Sequence, residues 1–125
     1  MKILVVDDEV DVKDLFLQRF RREIRNGEFQ LDFANSGEEA LLYLADHTSE
    51  VILILSDINM PGMSGFELLR HIRHDFQLPP PPVVMMITAY GDPDSQRQAV
   101  TLGANDFLTK PLDFTLLKQK LHDLV

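Results

Sequence analysis

The chain contains no cysteine, which excludes a disulfide framework, thiol chemistry and cysteine-ligated zinc. It also lacks a long apolar stretch at its start: Met1-Lys2-Ile3-Leu4-Val5-Val6 turns acidic at Asp7, too short a run for a signal peptide or a membrane span. A cytoplasmic protein with no membrane contact is therefore expected. Basic charge is scarce. Twelve Lys and Arg against 20 Asp and Glu give a formal net charge of -8, which opposes non-specific attraction to nucleic acid or anionic lipid. Protein partners and cations remain open. There is no internal repeat and no linker, and 125 residues suit one domain spanning residues 1–125 with a core of its own.

What the chain does have is a series of apolar runs that stop at polar residues. Val51 to Leu55 are five consecutive apolar residues without polar alternation, the habit of a strand buried on both faces of a parallel sheet. That run ends at Ser56-Asp57, and Met60-Pro61-Gly62 follows as a turn. Ile3 to Val6 and Val83 to Ile87 read the same way, stopping at Asp7-Asp8-Glu9 and at Thr88. Leu31 and Phe33 alternate with Gln30 and Asp32 in an edge-strand pattern, and Asn105 to Thr109 form a short last strand before Lys110-Pro111.

Helical stripes separate these strands. Val12, Phe16, Phe20 and Ile24 fall four apart with Leu15 beside them, and Asn26-Gly27 closes the helix. Arg19, Arg21, Arg22 and Arg25 in its last turns suit the negative end of the helix dipole and read as a solvated face. Ser36-Gly37-Glu38-Glu39 and Ser64-Gly65-Phe66-Glu67 have the form of capping boxes. They open a second helix burying Ala40, Leu41 and Leu44, and a third burying Phe66, Leu69, Ile72 and Phe76. Pro79 to Pro82 should be a stiff extended connector. Asp92-Pro93 starts a fourth helix and Gly103 lies past its end, but only Ala99, Val100 and Leu102 can anchor it, so its docking should be weak. Asp113 caps a fifth helix with Leu117, Leu121 and Leu124 on one side.

Five strands alternating with five helices call for an α/β fold, a flavodoxin-like (βα)5 three-layer sandwich around a parallel five-stranded sheet. Placing the fully apolar strands centrally agrees with the strand order 2-1-3-4-5. Asp7, Asp8, Asp57, Thr88 and Lys110 then all follow strand carboxyl ends and converge on one rim. Taken singly, Asp57 has a turn to make, Asp8 a helix to cap, Thr88 a strand end to close, and Lys110 a solvated surface to occupy. Taken together these readings are weak. Converging carboxylates repel unless a cation or an ammonium lies among them, and oxygen ligands with room for water make a Mg2+ site. His71 and His74, one turn apart, lack a third ligand and read as a solvated face. An aspartyl phosphohydrolase would need a second carboxylate near Asp57, where Asn59 stands. The loops after Val6 and Ile87 lack the glycine run of a nucleotide site.

The sequence resembles a receiver domain of a two-component response regulator over essentially its whole length. The likeness is carried by Val5-Val6-Asp7-Asp8-Glu9, Ser56-Asp57-Ile58-Asn59-Met60-Pro61-Gly62, Thr88-Ala89 and Lys110-Pro111. It implies that Asp57 accepts a phosphoryl group from a phosphohistidine on a sensor histidine kinase or phosphotransfer protein. Asp8, Asp57 and the backbone carbonyl of Asn59 would hold Mg2+ (or Mn2+), with Asp7 helping through water. Thr88 would hydrogen-bond the acyl phosphate and Lys110 would pair with it. Movement of Thr88 would be coupled to Phe107, which stands where the family often has Tyr. The surface of the fourth helix, fifth strand and fifth helix would then control an output domain or partner, with a homodimer through that face also open. Asn59 and Tyr90 would tune the lifetime of the phosphorylated state, and Pro111 matches a cis position. The protein is thereby expected to be a switch, not an enzyme acting on external substrates.

Overall fold

The computed structural model describes residues 1–47, 53–76, 81–88 and 92–123. Five parallel strands, β1 (Lys2–Val6), β2 (Gln30–Ala34), β3 (Leu53–Asp57), β4 (Val83–Thr88) and β5 (Asp106–Thr109), form one sheet in the order β2-β1-β3-β4-β5. The helices are α1 (Val10–Arg19), α2 (Arg21–Arg25), α3 (Gly37–His47), α4 (Gly65–Asp75), α5 (Pro93–Thr101) and α6 (Phe114–Asp123). The expected fold and strand order are both found.

Alternation along the strands divides the core into two layers. Leu4, Val6, Ile54, Val84 and Met86 pack with Ala40, Leu44, Leu68, Leu69, Ile72 and Ala99 of α3, α4 and α5. Ile3, Val5, Leu53, Leu55, Met85 and Leu108 pack on the other face with Phe16, Phe20, Phe29, Leu117 and Leu121. Because β1, β3 and β4 are covered on both sides, Ile3 to Val6, Leu53 to Leu55 and Val83 to Ile87 are apolar without alternation, and polar residues enter only at the strand ends. The strand at Leu31 takes the edge, as its mixed pattern indicates.

Several local expectations are corrected. The first helix is not continuous: it breaks at Phe20, which leaves helical geometry at φ -101° and ψ 14° and starts α2. Phe20 is fully buried, stacks on Phe16 with ring centroids 5.9 Å apart, and meets the edges of Phe29 and Phe114. Leu15 is exposed instead of joining the stripe. In α4 the buried residues are Gly65, Leu68, Leu69 and Ile72, so Leu68 replaces Phe66 and Phe76, which lie only partly buried at the flank. Val100 points outward at 56 % exposure, leaving Ala99 as the buried residue of α5. The arginines at 19, 21, 22 and 25 are exposed as expected, with Arg19 lying over the Phe114 ring.

The caps follow the sequence closely. Ser36 Oγ accepts the Glu39 N–H at 3.1 Å, Ser64 Oγ the Glu67 N–H at 3.2 Å, Asp92 Oδ1 the Ser95 N–H at 3.2 Å and Asp113 Oδ1 the Leu116 N–H at 3.1 Å. Gly27 and Gly103, past the ends of α2 and α5, have φ of 76° and 102°. Val51, Ile52, Pro79, Pro80, Ala89, Tyr90 and Leu124 lie outside the described residues.

Candidate functional site

The carboxyl ends of four strands, β1, β3, β4 and β5, build a single acidic site. At the end of β1 the chain is held by the Asp7 N–H donating to the Ala34 carbonyl at 3.1 Å, while Asp7 Oδ1 accepts the Glu9 N–H at 2.9 Å. Glu9, not Asp8, is the N-cap of α1, so the capping explanation for Asp8 fails and its exposed carboxylate is left at the rim. Asp57 closes β3 with only 4 % of its side chain exposed. The next residue is bridged to β4 by Ile58 N–H donating to the Ile87 carbonyl at 3.3 Å.

Lys110 reaches Asp57 from the far side. Its N–H donates to the Thr88 carbonyl at 2.8 Å, the peptide to Pro111 is cis, and its Nζ donates to Asp57 Oδ2 at 2.9 Å. The ammonium is paired with a buried carboxylate while the Lys110 side chain stays 42 % exposed. Thr88, one residue past the Ile87 that faces Asp57 in register, is fully buried and its hydroxyl donates to the Leu108 carbonyl at 3.3 Å. Phe107 is half-buried and pairs in register with Met86. Asn59 is exposed on the loop after β3. Tyr90 lies outside the described residues.

The electrostatics favour a cation. Oxygens of Asp7, Asp8 and Asp57 all lie within 4.8 Å of one another. Burial raises the Asp7 pKa above the ordinary carboxylate value, and the charge of Asp57 adds to this against the Glu9 amide and the Lys110 ammonium. For Lys110 burial works to lower the pKa, but the hydrogen bond and charge of Asp57, with the charges of Asp7 and Glu9, outweigh it and raise it. One ammonium against three close carboxylates leaves the cleft net negative, and its donors are all hard oxygens, so the residues present fit Mg2+ or Mn2+.

His71 and His74 both face Asp75. Their Nδ1 atoms lie 3.7 Å and 2.8 Å from the carboxylate of Asp75 on the exposed face of α4. Among the described residues the aspartate trio is the one group with metal-ligand spacing. Gly65 was not singled out in the sequence, although it shapes the site. A Cβ there would stand 2.2 Å from the Asp57 carbonyl oxygen and 2.8 Å from Ile58 Cα. The available signal was a glycine in the first turn of a helix, where its propensity is poor.

The chain is similar to a broad set of known proteins. Residues 3–122 match the model of the response regulator receiver domain. The chain is 36 % identical over 129 residues to the chemotaxis protein CheY of Pseudomonas aeruginosa, covering 99 % of this chain and 95 % of that protein. It is 32 % identical over 124 residues to the response regulator RppA of Synechocystis, covering 99 % of this chain but 50 % of RppA. Its match to the response regulator PilR of Pseudomonas aeruginosa covers 24 % of that protein, so the chain spans only part of several relatives. Among solved structures, a receiver domain protein of Clostridium thermocellum superposes with a TM-score of 0.83 at 26 % identity, covering 98 % of this chain and 91 % of that one. The receiver domain of Saccharomyces cerevisiae Ssk1, solved with the histidine phosphotransfer protein Ypd1, gives 0.85 at 25 % identity, covering 96 % and 85 %. With its sheet order, its aspartate trio and its lysine in place, the chain belongs to the receiver domains of two-component response regulators.

Proposed function

We propose that Asp57 is the phosphoacceptor of a two-component phosphorelay. The observation that carries this is the Lys110 ammonium 2.9 Å from the Asp57 carboxylate beside two further aspartates. In the transfer, an Asp57 oxygen forms the new bond to phosphorus as the phosphorus–nitrogen bond of a donor phosphohistidine breaks, and the imidazole leaves with the bonding electron pair. A carboxylate approaching a phosphoryl anion is repelled, so the incoming oxygens need positive charge. Lys110 supplies one such charge as a compact ammonium. Asp7, Asp8, Asp57 and the Asn59 carbonyl would hold Mg2+ or Mn2+, which when bound would neutralise phosphoryl oxygens further. Thr88, stiff at χ1 but with alternative rotamers, would exchange its bond to Leu108 for one to the acyl phosphate.

The response to phosphorylation is assigned to the face made of α5, β5 and α6, with Phe107 changing its burial as Thr88 turns. The slight anchorage of α5 supports this, because a weakly docked element needs the smallest bias to shift. Hydrogen exchange that is unaltered across this face on phosphorylation would remove the assignment. A phosphohistidine-bearing kinase or phosphotransfer protein is the partner class, in keeping with the Ssk1 complex; an output domain, and homodimerisation through the same face, are further proposed routes for the signal. Asn59 and Tyr90 are proposed to set the lifetime, Tyr90 by shielding the phosphate from water, so that Tyr90→Ala speeds its decay. Location in the cytoplasm follows from the same role. The central test is intact mass after incubation with a small acyl phosphate and Mg2+: the wild type should gain one phosphoryl group and Asp57→Asn none. Equal labelling of the two proteins would refute the assignment.

A further inference from the structure

Resting on the reading of the Asn59 carbonyl as a metal ligand, we propose that Glu38 is a positioning residue for the metal, acting through the loop that carries Asn59. This loop is pinned at its first half by the core: Ile58 and Met60 are buried, which turns Asn59 outward. Its second half reaches the protein through α3. Glu38, in the first turn of α3, accepts the Met63 N–H on Oε1 at 2.9 Å across 25 residues of sequence. Apolar contact reinforces the bond. The Met63 side chain covers Gly37 so closely that a Cβ on Gly37 would stand 2.8 Å from its sulfur and 3.0 Å from its Cβ. Gly62 between the two attachments has φ of 74°, and a Cβ there would come within 3.3 Å of Glu38 Oε1.

The consequence is a short loop held at two places, by the buried Ile58 and Met60 on either side of Asn59 and by the Met63 N–H three residues further on. A metal ligand that is a backbone carbonyl has no rotamer with which to adjust, so its direction is set by whatever fixes the flanking peptides, as supporting hydrogen bonds fix metal ligands elsewhere. Releasing Met63 lets the loop sample other paths, and Mg2+, which demands near-octahedral oxygen geometry, is sensitive to such drift. Glu38 is not one of the three clustered aspartates, and its hydrogen bond to the loop is the one from the Met63 N–H.

Mg2+ titration by calorimetry of the wild type, Glu38→Ala and Glu38→Gln, with exchange of the Met63 amide followed by NMR, tests this. Loss of one hydrogen bond to a charged acceptor should weaken Mg2+ binding by Glu38→Ala about two- to tenfold and speed Met63 exchange in the same variant. Glu38→Gln keeps an acceptor oxygen without the charge and should recover most of the affinity. Unchanged affinity in Glu38→Ala overturns the proposal, including when its melting temperature falls, since that result marks a merely structural contact. Equal weakening in Glu38→Gln also overturns it, assigning the effect to lost charge. A wild type that binds no Mg2+ overturns the metal reading and this proposal with it, whereas normal wild-type binding with the other failures leaves the metal reading standing.

Discussion

At Gly65 the backbone of α4 passes so near the Asp57 carbonyl that a single methyl group has no place. The atoms it would strike are backbone atoms of Asp57 and Ile58, which cannot swing away as a side-chain end would. Gly65→Ala should therefore destabilise the fold by about 3 kcal/mol despite alanine's better helix propensity, read as a lower urea midpoint. A change below about 0.5 kcal/mol would show that β3 and α4 part more easily than this packing implies. Asp7 makes the opposite prediction. Its folded pKa is raised mainly by burial, so between the unfolded and folded values the native state holds the extra proton. Its stabilising contribution is present below the ordinary carboxylate pKa and is lost as pH climbs through the raised one. Metal-free Asp7→Asn keeps an oxygen to accept the Glu9 N–H and should melt higher than the wild type at pH 7. It should also lose part of the wild type's decline in stability with rising pH above the ordinary carboxylate range. Thermal melts in chelator across that range check both signs.

Among the elements, α4 and α5 differ in how they are tied down. Arg73 of α4 donates from Nε to the Gly103 carbonyl at 2.8 Å, from one terminal nitrogen to the Pro82 carbonyl at 2.7 Å and from the other to Asn105 Oδ1 at 2.7 Å. Asn105 Oδ1 also accepts the Val84 N–H at 2.8 Å. One planar guanidinium thus joins the end of α4 to the start of β4 and to the turn after α5. Lysine cannot span three such acceptors, so Arg73→Lys should cost about 2 kcal/mol, with Mg2+ affinity unchanged because the clamp lies on β4's entry side, away from the aspartates. The denaturation midpoint and the metal titration together check this. By contrast α5 buries Ala99 while α4 buries Gly65, Leu68, Leu69 and Ile72. Amides of α5 should exchange faster than those of α4 in the unphosphorylated protein, and equal protection would contradict weak docking. The sequence announced the poor anchorage of α5 and the caps at Ser36, Ser64, Asp92 and Asp113, because these depend on near neighbours. It did not announce the break at Phe20, since Val12, Phe16, Phe20 and Ile24 keep their spacing whether or not the helix is continuous. The packing of Phe20 between Phe16, Phe29 and Phe114 marks the break, and that is a contact among distant segments.

For the whole molecule, a parallel sheet explains why the cleft could be foreseen while its supports could not. Every strand carboxyl end lies on one rim, so Asp7, Asp57, Thr88 and Lys110 are brought together by topology alone once the strands are found. Gly65 under Asp57, and Glu38 on Met63, depend on how helices sit on the sheet; a glycine in a first helical turn hints at the former, and no short-range pattern marks the latter. The same topology concentrates three carboxylates within 4.8 Å against one ammonium, and their mutual repulsion costs the fold stability. Binding should return it. A ligand that binds only the native state at 100 times its Kd stabilises by about 2.7 kcal/mol, which for a domain of this size is a rise of roughly 10 °C in Tm. Saturating Mg2+ should produce that rise in the wild type, while sodium chloride at matched ionic strength should produce little, because screening weakens repulsion without supplying a coordinated charge. Asp8→Asn removes an exposed carboxylate of the trio while leaving the Lys110–Asp57 pair in place, and should lose most of the Mg2+ increment. An Asp8→Asn protein that gains as much from Mg2+ as the wild type would show that the ion stabilises the molecule from somewhere other than this cleft.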